Sequence, residues 1–256
     1  MRLPALRGIR AAVVFLTRLP AGGFPYSDHE WRWASAHFPL IGALLGALLV
    51  GVWHASARLG SVVAALIVVA AGVLLTGALH EDALADTADA LGGGVDRERI
   101  LVILKDSRIG AYAAVTLVLV LALRVALLAS LLGARPALLV AVTAVSRAPC
   151  VWLLATLEYV TPPSVARNSA IAASGWAQVA VATAWSVIVL GVLGALGAIT
   201  ALQALAMVAA SVGVGLFAGW RFKTLLGGVT GDLVGSTVPI SECALLLAAA
   251  LAEPVA

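Results

Sequence analysis

Residues 61–79 read SVVAALIVVAAGVLLTGAL, and the chain then runs on through His80-Glu81-Asp82-Ala83-Leu84-Ala85-Asp86-Thr87-Ala88-Asp89-Ala90-Leu91-Gly92-Gly93-Gly94. The first segment carries no charge and no proline, and it has the length of about 20 residues that a helix needs to cross a hydrocarbon core about 30 Å thick. The second holds Glu81, Asp82, Asp86 and Asp89 out of 13 acidic residues in the whole chain. Asp82, Asp86 and Asp89 are spaced i, i+4, i+7, so on a helix they share one face. Three carboxylates on one face repel one another, and the arrangement persists at low cost only where a cation sits or where water covers the face. An apolar span feeding an acidic helix points to an all-α polytopic membrane protein with its chemistry at one membrane boundary.

Composition agrees. The 256 residues are 62% hydrophobic and 11% charged, with a mean hydropathy of +1.07. A soluble domain is nearer half apolar and a quarter charged, and a core of this size cannot hide the surplus. The net charge of +3 therefore speaks to orientation in a bilayer rather than to nucleic acid. Cys150 and Cys243 both fall in apolar segments and read as small buried residues, not a disulfide or metal pair. No cleavable signal peptide is visible: the first apolar run is short and interrupted by Arg10 and Arg18.

Working outward, residues 1–19 interleave Arg2, Arg7, Arg10 and Arg18 with Leu6, Ile9, Val13 and Leu16, the pattern of an amphipathic helix lying at the interface. Residues 20–37 read as a polar, aromatic loop whose Trp31 and Trp33 suit the interfacial belt. Seven spans are expected near 38–57, 61–79, 111–132, 136–157, 176–197, 199–218 and 236–252. Gly42, Gly46 and Gly51 form a small-residue stripe for close helix packing. With the N-terminus inside, twelve Lys and Arg residues fall on the cytoplasmic side and only Arg58 and Arg135 outside, a strong positive-inside bias. That choice places the acidic loop 80–110, the loop 158–175 and the Gly-rich loop 219–235 in the cytoplasm. The whole chain reads as a single membrane domain, multi-pass in the cell membrane. The sequence is compatible with a homo-oligomer but does not require one.

Three clusters carry candidate chemistry. Thr76 to Leu91 continues the second span as a helix ended by Gly92-Gly93-Gly94, and its face of Asp82, Asp86 and Asp89 suits a hard cation such as Mg²⁺, which keeps waters for substrate phosphates. An EF-hand lacks its ligand pattern here, and zinc lacks a His/Cys cluster. A solvated acidic patch is the plain alternative. In Lys105-Asp106-Ser107-Arg108-Ile109-Gly110, Lys105 and Arg108 are placed to clamp phosphate oxygens, with Asp106 to hold a metal or a hydroxyl. Arg97 and Arg99 read as ordinary inside anchors. The third cluster, Arg221 to Gly235, sets glycines beside Asp232, Lys223 and Thr230, where backbone N–H groups can cradle phosphate, although the P-loop signature is absent. Glu242 and Arg147 are ionisable groups inside spans and so are functional candidates. Arg124 is left between pairing with Glu242 and a purely structural role.

The motifs Phe15-Leu16-Thr17-Arg18-Leu19-Pro20, Phe38-Pro39-Leu40-Ile41-Gly42, His80 to Asp89, Asp106-Ser107-Arg108-Ile109-Gly110, Ser146-Arg147, Thr230-Gly231-Asp232 and Glu242 occur in this order, and the chain resembles the cobalamin synthase (adenosylcobinamide-GDP ribazoletransferase) family along nearly its whole length. Ala83 and Ala90 stand where the family pattern has glycine, and Val102 and Pro239 where it often has an acid. The resemblance implies a Mg²⁺-dependent integral membrane enzyme that joins α-ribazole or its 5′-phosphate to adenosylcobinamide-GDP and releases GMP. It also implies that Asp82, Asp86 and Asp89 bind the metal and that Asp106, Arg108, Asp232 and Glu242 complete the site.

Other classes fit less well. A CDP-alcohol phosphotransferase needs an Arg after Ala85 and a later spaced Asp pair, and the chain has Asp86 there. A membrane prenyltransferase wants acidic motifs in both halves. A cation transporter predicts carboxylates deep in several spans and an inverted repeat, and neither is visible in the sequence.

Overall fold

A computed structural model describes residues 4–161 and 169–253. Arg2 and Arg167, counted above among the inside cations, lie outside the described residues. The elements are α1 (Pro4–Leu16), α2 (Asp28–Ala34), α3 (Phe38–Ser56), α4 (Ser61–Thr76), α5 (Leu79–Gly93), α6 (Arg97–Ile103), α7 (Ala111–Leu131), α8 (Leu138–Val145), α9 (Ala148–Thr156), α10 (Ser169–Ala172), α11 (Trp176–Ala195), α12 (Ala201–Leu226) and α13 (Gly231–Leu251). No strand is present among the described residues; one isolated parallel bridge joins Tyr159 to Val229. Six helices or near-continuous helix pairs are long and apolar enough to cross a membrane, and α4 with α5, bent by 90°, makes a seventh.

That bend corrects the expectation of a straight helix from Thr76 to Leu91. Gly77 and Ala78 both take positive φ, 67° and 58°. The Ala78 N–H closes on the Val73 carbonyl at 2.9 Å and the Gly77 N–H on Leu74 at 3.3 Å, the paired bonds that end a helix on a left-handed residue. The Arg18 guanidinium packs directly against Gly77, where a Cβ would push it aside. The Arg18 N–H meanwhile donates to the Leu75 carbonyl at 2.8 Å. α5 thus turns away from the spans and lies across one end of the bundle, packed on α13 and α7. The acidic segment 80–110 is mostly two helices, α5 and α6, rather than a loop.

Three further boundaries differ. Residues 28–37 are helical: Ser27 and Glu30 form a capping box, with the Ser27 N–H donating to the Glu30 carboxylate at 2.8 Å. This helix runs through a short 3₁₀ turn into α3. The span expected at 136–157 is broken at Ser146-Arg147 into α8 and α9. Pro149 has no N–H to give the Val145 carbonyl, and the Ser211 hydroxyl approaches that carbonyl at 3.5 Å instead. α12 runs on to Leu226 and α13 begins at Gly231, so the Gly-rich loop 219–235 shrinks to residues 227–230.

α3 lies on α8 by way of Gly42 and Gly46, where a Cβ would strike Thr143 and, at Gly46, the Leu139 carbonyl as well. Gly51 has open space around it and takes no part in that contact.

The buried side chains form two apolar cores. One joins α1, α2, the start of α3, α9, the end of α12 and the start of α13. The other joins the far half of α3 with α4, α8, the end of α7 and the end of α13. Between them in sequence fall Arg147, between Val145 of one core and Cys150 of the other, and Glu242, between Val238 and Leu245. Outward-facing Leu44, Leu48, Val62, Val118, Leu119, Ile188, Leu205 and Leu216 are exposed on α3, α4, α7, α11 and α12, the surface expected to meet lipid.

Candidate active site

α5 organises the polar end of the bundle. Its close crossing with α13 is set by Ala83 against Gly235, where a Cβ on the glycine would lie 2.8 Å from that of Ala83. Only small residues allow this approach, and it brings Asp82 and Asp86 toward Asp232 in the first turn of α13. Burial, then the charges of Asp82, Asp232 and Asp89, push the Asp86 carboxyl up to about 6. Like charges held this close disfavour ionisation unless a cation joins them.

Asp82 stands where three cavities meet. One, of about 160 Å³, is largely apolar and includes His80, Tyr159 and Asp232. A second, of about 460 Å³, is an open groove with Asp86, Lys105 and Asp106. A third, of about 680 Å³, is an open groove that carries Thr17, Arg18, Gly77 and Phe24.

Asp89 has a different job from the other two carboxylates of its face. One of its oxygens accepts the Gly110 N–H at 2.6 Å and the other the Ala113 N–H at 2.9 Å, capping the start of α7. It is absent from the linings of all three cavities. Asp89 is thus engaged as a helix cap, whereas Asp82, Asp86 and Asp232 are the carboxylates that line the cavities.

Glu242 does not join this group. It is 3% exposed, about 16 Å along α13 from Gly231 at 1.5 Å per residue, and it pairs with Arg124 at 2.7 Å and Arg147 at 3.4 Å. Arg124 also reaches Glu81 at 3.4 Å. Arg147 donates to the Thr143 carbonyl, which the break after α8 leaves available. These groups line a small space of about 20 Å³ with His80 and Thr76. A facing acid beside Asp82 was expected at Glu242; the structure shows instead a buried belt of paired charges between the two apolar cores.

Asp106 and Arg108 form a bidentate pair, with N–O distances of 2.9 and 2.6 Å, and hydrogen bonds from Arg108 hold the Asp106 carboxyl down to about 2. Asp106 and Lys105 line the groove; Arg108 projects outside it. Lys223 is exposed in the last turn of α12, away from the three cavities. Thr230 is buried and caps α13, its hydroxyl accepting the Leu233 N–H at 3.3 Å. The N–H of Val229 is taken by the Glu158 carbonyl at 2.8 Å, and the Val229 carbonyl takes the N–H of Val160 at 2.9 Å. A phosphate cradle at 227–230 would compete with those bonds.

Reasoning from the residues singled out neither Arg18, Tyr159 nor His80 as a site residue. Arg18 was visible only through its motif and Tyr159 carried no signal. His80 is buried and lines both the cavity that holds Asp82 and the small space beside the charge belt.

The donors suit Mg²⁺. They are hard carboxylate oxygens at the rim of open grooves. Among the described residues no group of three or more His, Cys, Asp or Glu side chains is placed to hold a metal ion by itself. An incomplete carboxylate set is what Mg²⁺ accepts when substrate phosphates and waters supply the remaining ligands.

The family model described as cobalamin-5-phosphate synthase matches residues 8–250. An adenosylcobinamide-GDP ribazoletransferase of Sinorhizobium medicae is 41% identical over 262 residues, covering 95% of this chain and 96% of its own. One of Pseudomonas paraeruginosa is 40% identical over 254 residues, covering 96% and 99%, and one of Leptothrix cholodnii is 39% identical, covering 92% of both. No solved structure matches the chain significantly. With its acidic helix turned across one end of the bundle and its motifs in family order, the chain belongs to the cobalamin-5-phosphate synthase family.

Proposed function

We propose that this protein is an adenosylcobinamide-GDP ribazoletransferase that acts at the cytoplasmic face of the cell membrane and depends on Mg²⁺. The names of its full-length relatives support the reaction. The observation that carries the site is the position of Asp82, shared by an apolar cavity and two open polar grooves. A transferase that joins a nucleotide-activated donor to a nucleoside needs such a meeting point, with separate room for each partner.

Asp82, Asp86 and Asp232 hold the metal in this reading, and Mg²⁺ supplies charge neutralisation at the donor diphosphate. Arg18 and Lys105, each lining a groove beside Asp82, steady the phosphate oxygens of the departing GMP. Asp106 begins paired with Arg108. A phosphate drawing Arg108 away would free Asp106 to orient the acceptor hydroxyl. Glu242 and Arg124 support α5 from beneath rather than touch the reacting atoms. The positive-inside bias supports the cytoplasmic orientation.

Purified full-length protein supplied with adenosylcobinamide-GDP, ribazole and Mg²⁺ is expected to release GMP, to stop on chelation, and to lose the reaction in Asp82→Asn. Absence of GMP from protein shown to bind Mg²⁺ would overturn the reading.

A further inference from the structure

The apolar cavity of about 160 Å³ has walls from Phe15, Phe38, Leu154 and Val238. Phe15 and Phe38 stack in parallel, with ring centroids 5.6 Å apart. An apolar cavity of about 150 Å³ is enough to take up benzene. This one is not purely apolar. His80 and Arg147 line both it and the small space beside the charge belt, so they form the shared inner wall. His80 is 7% and Arg147 3% exposed. Both His80 ring nitrogens and the Arg147 Nε are buried without a hydrogen-bond partner. Pro239 has no N–H for the Gly235 carbonyl, and the Gly235 backbone lies beside the imidazole without reaching hydrogen-bond geometry. Leaving such nitrogens unpaired is costly, and both residues line the cavity that Asp82 also lines.

We infer that this cavity is the pocket for the base of the acceptor nucleoside, a planar nitrogen heteroaromatic, with His80 and Arg147 as positioning residues that hydrogen-bond its polar edge. The inference rests on the proposed transferase reading. Stacked phenyl rings and aliphatic walls suit a flat apolar ring system. Neutral imidazole offers one donor and one acceptor, and the Arg147 Nε–H another donor, for ring nitrogens. With the base seated inside, its sugar lies at the mouth beside Asp82 and Asp232, where its phosphate or hydroxyl meets the donor.

The test is equilibrium dialysis of ribazole against the detergent-solubilised full chain without donor, together with steady-state kinetics. His80→Leu is expected to weaken ribazole binding and raise the acceptor KM by about tenfold, the effect of one buried hydrogen bond. The donor KM is expected to stay within about twofold, because only the acceptor reaches this wall. His80→Gln restores most of the loss, which a merely structural role would not predict. Val238→Phe, which fills the cavity, shifts the acceptor KM in the same direction. If wild type makes product and folded His80→Leu and Val238→Phe keep the wild-type acceptor KM, the inference is overturned while the transferase reading stands. If ribazole binds wild type and the variants lose that binding, yet no GMP forms, the pocket stands and the reaction is wrong.

Discussion

At the scale of single residues, three carboxylates with one spacing have two fates. Asp82 and Asp86 face cavities, whereas Asp89 spends both oxygens on the N–H groups that open α7. Asp89→Asn removes one charge-assisted acceptor at a helix start and is expected to cost about 1–2 kcal/mol of stability, read as a lower melting temperature, with measurable turnover retained. Asp86→Asn relieves repulsion from Asp82 and Asp232 and is expected to leave melting unchanged or raised while activity falls by about a hundredfold or more. Thermal melts beside turnover separate the two outcomes; equal loss of stability in both would break the distinction. The i, i+4, i+7 spacing placed all three on one face correctly. It had no means of showing that the start of α7, 21 residues beyond Asp89, comes back to that face. Glu242 was hidden for the same reason: whether an intramembrane acid faces a substrate or two arginines depends on helices far away in sequence.

At the scale of elements, packing by glycine makes a sharp contrast within α3. Gly42 touches the α8 backbone and Gly51 touches nothing. Gly42→Val is expected to destabilise the protein strongly, by overpacking that costs about 1–3 kcal/mol or more, and Gly51→Val to leave it unaffected, both read from melting in detergent. Helix identity was largely legible, because apolar runs of spanning length need no tertiary information. The capping box of Ser27 and Glu30 was legible too, as Ser-x-x-Glu ahead of an aromatic segment, but Pro20, Gly22, Gly23 and Pro25 drew the loop reading past it. The corner at Gly77-Ala78 was not legible. Alanine seldom adopts a left-handed conformation, and the apolar-to-acidic sequence runs through it with good helix formers on both sides. Likewise the sixth span was expected to end near 218, whereas α12 continues through Arg221 and Lys223 to Leu226. There Arg97 binds its last carbonyl, the Nε–H donating to Leu226 at 2.9 Å. What read as an anchoring cation is a helix cap.

At the scale of the whole molecule, six helices or helix pairs have the length and apolarity of crossings, and counting α4 with α5 as one more makes seven; an odd count predicts that the two ends of the chain face opposite compartments. Full-length protein with a compartment-sensitive reporter on either end is expected to show the N-terminus inside and the C-terminus outside; the same side for both would break the seven-span reading. The buried belt of Arg124, Arg147, Glu242 and Glu81 lies between two apolar cores, and α5 rests over it. His80 and Arg147 line both the belt's small space and the cavity at Asp82, so the belt and the acidic end share a wall.

The right-angled corner also ties catalysis to lipid. α4 has 16 residues before it, about 24 Å at 1.5 Å per residue, against a hydrocarbon core of about 30 Å. A corner after so short a span is expected to thin the bilayer around α5. In vesicles of graded acyl-chain length, turnover is expected to be highest in thin bilayers and to decline as the chains lengthen, and a flat response would show that α4 tilts or moves freely enough to ignore its surroundings.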